Sequence, residues 1–189
     1  MRPVQSPCRR KQGTTESNMK NATYYEQRAE QLFREGYNCA QSAFITFAEE
    51  QMGRDEAARL ASALGGGLAG MRMTCGALSG IAMAYGMLCG YSDPAAKDQK
   101  LAEYTAVHEM ADEFERRNGS LLCRELLGLD AAVKYVPPSE RSAEYYEKRP
   151  CPRLCACAAG ILAGYLRDHP AADESPAPVI RKSVVSDPE

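Results

Sequence analysis

Eight cysteines in 189 residues, at positions 8, 39, 75, 89, 123, 151, 155 and 157, are what this sequence has to do chemistry with. They are too few for a scaffold built from disulfides, and thiols grouped this way more often serve redox chemistry or metal binding than cross-linking. The opening residues, MRPVQSPCRRKQGTTESNMK, carry positive charge but no apolar run of the secretory type, so the expected compartment is the reducing cytoplasm. Four of the cysteines open predicted helices. Cys39 follows Asn38, Cys75 follows Thr74, Cys123 starts a short turn and Cys151 stands just before Pro152. First-turn amides and the helix dipole favour a thiolate over a thiol at such positions. Arg72, Arg124 and Arg153 stand close by in sequence and are expected to add positive potential.

The elements that must hold these thiols read as helical nearly throughout. ATYYEQRAEQLFREG places Tyr25, Ala29, Leu32 and Phe33 on one stripe and stops at Gly36. Asn38 is a good N-cap for CAQSAFITFAEEQMG, whose Ala40, Ala43, Phe44 and Phe47 repeat at helical spacing until Gly53. Asp55 is expected to cap EAARLASAL, which ends in Gly65–Gly67, and Thr74 to cap a helix from Cys75 to Leu88. From Asp93-Pro94 a long polar helix is expected, with Leu101, Tyr104, Val107, Ala111 and Phe114 facing inward. LLCRELLG, SERSAEYYEKR and CPRLCACAAGILAGYLRDH complete the set. The one weak strand candidate, AVKYV, is cut off by Pro137-Pro138. The expected fold is an all-α, compact helical bundle over residues 21–168. Residues 1–20 and 169–189, poor in anything to bury and rich in polar residues and proline, read as disordered ends. Met19 is a candidate natural start, which would leave Cys8 in an upstream extension.

Several function classes lose ground on composition. A formal charge of −2 leaves no electrostatic footprint for nucleic acid. Met73 to Tyr91 is uncharged and long enough to span a bilayer, but its many Gly, Ser, Thr and Tyr residues and lack of a basic flank beyond Arg72 favour a buried helix over membrane insertion. GGGLAG matches the glycine spacing of a dinucleotide loop, yet a helix rather than a strand precedes it; a tight loop bringing Cys75 near neighbouring backbone is the better reading. With only His108 and His169 and no supporting acid pair, hydrolase constellations have nothing to stand on.

Four segments carry a resemblance: GYNCAQSAF, GGGLAGMRMTCGALSG, LLCRELLG and KRPCPRLC. Their order resembles the bacterial and archaeal C-GCAxxG-C-C family, a group described as redox-active, over about residues 24–166. The resemblance implies a functional set of Cys39, Cys75, Cys123 and Cys151, with Gly76, Ala77 and Gly80 completing the signature at the second cysteine.

Two chemistries are open to such a set. In one, thiols cycle between dithiol and disulfide, with a small thiol or a redox protein as partner. Cys75 is then the expected nucleophile and Cys39 its first partner, although four cysteines allow three pairings. In the other, the same four residues bind zinc or an iron–sulfur cluster, although separations of 36, 48 and 28 residues (39 to 75, 75 to 123, 123 to 151) match no local metal knuckle. A non-catalytic helical binding module is the third reading. Cys89 and Cys157 are expected to be buried small hydrophobes, and Cys155, one turn after Cys151, to pack or else to act as a resolving thiol or a substitute ligand. Glu109, Asp112 and Glu113 read as a solvated face. Glu125 is expected to make a surface pair rather than to take a proton from a thiol.

Overall fold

Apolar side chains recurring at helical spacing, separated by glycine and proline, give eight helices among the described residues of the computed structural model, which covers residues 20–170. They are α1 (Ala22–Arg34), α2 (Cys39–Met52), α3 (Arg54–Ala61), α4 (Gly76–Cys89), α5 (Lys97–Asn118), α6 (Cys123–Leu126), α7 (Ala143–Lys148) and α8 (Cys151–Asp168). A single 3-10 turn, Ser62–Leu64, follows α3. The fold is all-α. Cys8, Met19 and most of both expected disordered ends lie outside the described residues. Of those ends, Lys20 sits 4.0 Å above the Tyr24 ring, and His169 stacks on Tyr165 with centroids 4.1 Å apart.

Helix α2 runs through the middle and is buried from Ser42 to Ala48. Its two hydroxyls are satisfied within the helix, Ser42 donating to the Asn38 carbonyl and Thr46 to that of Ser42, each at 2.8 Å. Such back-bonding lets a polar residue sit in a core without an orphaned hydrogen bond. Helices α1, α3, α4 and α8 pack around α2, and α5 lies outside against α4 and α8. Tyr25 stacks on Phe47 at 4.7 Å to join α1 to α2, and Tyr85 meets Tyr165 edge-on at 5.8 Å to join α4 to α8.

Three local expectations change. Gly53, at φ 85°, ends α2 and also occupies the cap position of α3, so Asp55 lies in the first turn, where its charge still meets the dipole. Thr74 does not cap α4; it pairs with Leu122 in an isolated antiparallel bridge, and Cys75 itself takes the N-cap position. On α5 the buried stripe is Ala102, Ala106, Met110, Ala111 and Phe114, while Leu101 and Tyr104 are 61% and 53% exposed. Small alanines there allow α5 to lie close to its neighbours, where the bulkier pair would hold it away. Among the described residues, no helix is long and apolar enough to cross a membrane, and the uncharged run contributes only the 14-residue α4.

Candidate functional site: a cysteine cluster at converging helix starts

Cys39 is fixed as the first residue of α2 by a capping box. The Asn38 side chain accepts the amides of Ala40 and Gln41 at 3.0 Å, and the Gln41 side chain accepts the Asn38 amide at 2.9 Å. Asn38 also donates to the Ser62 carbonyl at 2.9 Å, which ties this helix start to the glycine loop that follows.

That loop winds the wrong way. Gly66, Gly67, Leu68, Ala69, Gly70 and Arg72 all have positive φ, between 46° and 82°. For Leu68, Ala69 and Arg72 this costs roughly 1–2 kcal/mol each. Amides of Ala69, Arg72 and Met73 bond back to the carbonyls of Ala63, Gly66 and Gly67 at 2.7, 3.1 and 3.0 Å and hold the coil closed. Gly67 cannot be replaced freely, since a Cβ there would lie 2.7 Å from that of Cys123 as well as straining the backbone. The coil turns the Gly66 amide toward the Cys39 sulfur. A run of amides in such a conformation is a known way to cradle an anion.

From the loop the chain enters the Thr74–Leu122 bridge. The Cys75 amide donates to the Leu121 carbonyl at 2.8 Å, and the Cys123 amide to the Met73 carbonyl at 2.6 Å. This clip sets Cys75 and Cys123 side by side. The next two signature positions bring α4 against α2. A Cβ on Gly76 would stand 2.9 Å from the Leu64 carbonyl oxygen and 3.2 Å from the Cys39 Cβ; one on Gly80 would stand 2.6 Å from the Ala40 carbonyl oxygen. Ala77 between them has no exposed surface.

On the opposite side α8 begins at Cys151, with Pro152 in its first turn. The thiols of Cys151 and Cys155 both stand close enough to the Cys39 sulfur to lower its pKa. Cys155 also lies 3.7 Å from the Cys39 carbonyl, so its single S–H is shared between two acceptors. The structure thus gathers Cys39, Cys75, Cys123 and Cys151, with Cys155 as a fifth thiol. Cys157 lies apart, accepting from Asn118 at 3.3 Å, and Cys89 is buried at the end of α4.

These thiols are not equivalent. Hydrogen bonds from Cys151 and Cys155, joined by the Gly66 amide, hold the Cys39 thiol well below the ordinary cysteine range despite burial. Burial, reinforced by the nearby Cys39 charge, pushes Cys75 up to about 12. Cys123 is raised by burial, which the Arg72 guanidinium opposes. Cys151 is raised because its proton is engaged by Cys39, and Cys155 chiefly by burial. The surroundings thus favour the thiolate at Cys39 and the protonated thiol at its neighbours.

Cys39, Cys123 and Cys151 open onto a cavity of about 370 Å³ that Arg72, Arg141 and Arg149 also line. Arg72 is 6% exposed and reaches Cys123 Sγ at 3.9 Å. Arg124 and Arg153 do not line the cavity; Arg141 and Arg149 supply the positive charge instead. Arg141 donates to the carbonyls of Phe33 and Tyr37 at 2.7 and 2.9 Å, pinning the segment before α7 to the end of α1. Glu125 accepts from the Ser120 hydroxyl, which in turn accepts the Leu122 amide, so its carboxylate serves this turn. His108 is exposed on α5.

Residues 37–165 match the family model described as "Putative redox-active protein (C_GCAxxG_C_C)". The chain belongs to the C_GCAxxG_C_C family. Neither the curated proteins nor the solved structures offer a match. Cys39, Cys75, Cys123 and Cys151, which the sequence resemblance picks out, all lie within the matched residues, and Gly76 and Gly80 sit where α4 meets α2. Among the described residues, no group of three or more His, Cys, Asp or Glu side chains is arranged to hold a metal ion. Arg72 directed at Cys123 Sγ would also compete with a cation there, so the zinc and iron–sulfur alternative gains no support from the geometry.

Proposed function

We propose that this member of the C_GCAxxG_C_C family is a thiol–disulfide exchange protein in which Cys39 attacks and Cys151 resolves. The supporting observation is that Cys39 and Cys151 line the same arginine-lined cavity, with the Cys151 thiol near enough to the Cys39 sulfur to lower its pKa. Thiolate is the attacking species in such exchange, and Cys39 is the thiol whose surroundings lower its pKa and favour that form. This moves the nucleophile from the expected Cys75, whose burial keeps it protonated, to the expected partner.

The reaction balances as follows. The Cys39 thiolate attacks one sulfur of a disulfide, a mixed disulfide forms, and the departing thiolate takes a proton from solvent. Cys151 then loses its proton and attacks the Cys39 sulfur, expelling the second thiol with that proton. Two electrons pass from the dithiol to the substrate. A reducing compartment such as the cytoplasm, with a small thiol or redox protein to regenerate the pair, suits this cycle. Cys75 and Cys123 act as neutral walls of the site, and Cys155 steadies the Cys39 charge from beneath.

Trapping tests the order of events. With 2-hydroxyethyl disulfide, wild type should pass to an internal disulfide with no adduct left. Cys151→Ser combined with Cys155→Ser should retain a mixed disulfide on Cys39, identified by peptide mass. An adduct on Cys75, or on no cysteine, would overturn the assignment.

A further inference from the structure

Resting on the exchange reading, we infer that the cavity takes a small disulfide bearing carboxylates or similar anionic groups beside its sulfur atoms. Among the described residues, three arginines line the cavity and no aspartate or glutamate does. Elsewhere arginines meet carboxylates: Arg28 pairs with Glu49 at 2.8 Å, and Arg116 and Arg117 with Glu113 at 2.7 and 2.6 Å. Arg72 has no such partner among the described residues. Its contacts are a thiol at 3.9 Å and the Val136 carbonyl at 3.4 Å, and its Nε is buried with no hydrogen-bond partner. A buried guanidinium this poorly satisfied is costly unless something else engages it.

Arg149 lies over the Tyr145 ring at 4.7 Å and makes no ion pair with a carboxylate among the described residues. Arg141 is committed to the end of α1 and lends charge rather than donors. Against these three cations the site sets one thiolate, which leaves it electropositive in a chain whose net charge is −2. A preference for anions must therefore be local. At about 370 Å³ the cavity falls at the small end for ligand sites, too small for a folded partner's disulfide and adequate for a short aliphatic one.

The covalent course is the one above. Cys39 takes one half of the anionic disulfide and releases the other as a thiol; Cys151 displaces the first half, and the substrate leaves as two reduced thiols.

Three disulfides of similar size separate the possibilities: 3,3′-dithiodipropionate (anionic), 2-hydroxyethyl disulfide (neutral) and cystamine (cationic). Rates of Cys39 oxidation are measured at low salt, each divided by the rate with free cysteine to remove leaving-group differences. The anionic compound should be favoured about tenfold over the neutral one, with the cationic one last. The preference should shrink with added salt and in Arg72→Gln and Arg149→Gln. Arg149 is only half-buried, so the second variant carries the test if the first fails to fold. A parallel arm needs no exchange: suberate, the isostere of dithiodipropionate, should slow iodoacetamide alkylation of Cys39, whereas 1,8-diaminooctane should not. Equal or cation-favouring rates would overturn the anionic substrate while leaving exchange intact. No reaction with any disulfide, with suberate still shielding Cys39, would overturn exchange and with it the disulfide, leaving an anion site. Neither reaction nor shielding would remove both.

Discussion

The Cys151 thiol stands beside the Cys39 sulfur closely enough to lower its pKa, bringing the first residue of α8 to the first residue of α2. Two helix N-termini therefore converge on one sulfur, and their dipoles act there together with the Gly66 amide. A buried thiol left to itself would rise; this one falls because its neighbours donate to it.

Alkylation should separate the thiols by pH. The Cys39 rate should reach its plateau at a lower pH than an ordinary cysteine's, because its pKa is lowered. Cys75 should remain unmodified until strongly alkaline conditions, consistent with its value of about 12. Site-resolved iodoacetamide rates under reducing conditions check both.

Stability should fall on the alkaline side for the same reason. Cys75 is raised in the folded state above its ordinary 9.0, so its contribution is complete below pH 9 and is lost as pH climbs toward 12. The slope is about 1.4 kcal/mol per pH unit for one such group. Cys75→Ala, though less stable at pH 8, should lose less between pH 9 and 11 than wild type, read from urea midpoints.

The glycines divide into those that fill a contact and those that do not. Gly80→Ala would press a Cβ against the Ala40 carbonyl and should cost about 1–3 kcal/mol. Gly86→Ala, also in α4, meets only the end of the Glu103 side chain at 3.3 Å and should be neutral to stabilising by up to about 1 kcal/mol. Denaturant melts of the two variants give opposite signs if the α2–α4 seam is as described.

Asn38→Ala should cost about 0.5–2 kcal/mol through loss of the capping box. It should also raise the Cys39 pKa by loosening the start of α2. The same alkylation profile, shifted toward higher pH, is the readout.

What was legible in the sequence was what local chemistry decides. Asn38 before an apolar run at helical spacing announces a helix start, and so located Cys39 within its first turn. Thr74 looked like a cap for the same local reason, but Leu122, distant along the chain, claims it for a bridge, and a long-range pairing leaves no mark in a short window. On α5 two stripes lie one residue apart. Ala111 and Phe114 are buried as expected and Val107 packs against the core, but Leu101 and Tyr104 misled at the start of the stripe, where close helix packing selects Ala102 and Ala106 over size. Arg141 and Arg149 escaped notice altogether. They enter the site from an irregular stretch and from just beyond α7, and their sequence neighbours, far from Cys39, give no hint of where that segment folds back. The depression of Cys39 rather than Cys75 depended on partners from α8 and the left-handed loop, which only the assembled fold supplies.

The most direct test is a redox titration of the whole protein in glutathione buffers, with differential alkylation and peptide mapping at each potential. The account predicts one cooperative two-electron transition that links Cys39 to Cys151 while Cys75 and Cys123 stay reduced. A first-formed bond that omits Cys39, or no internal bond at any potential, would contradict it.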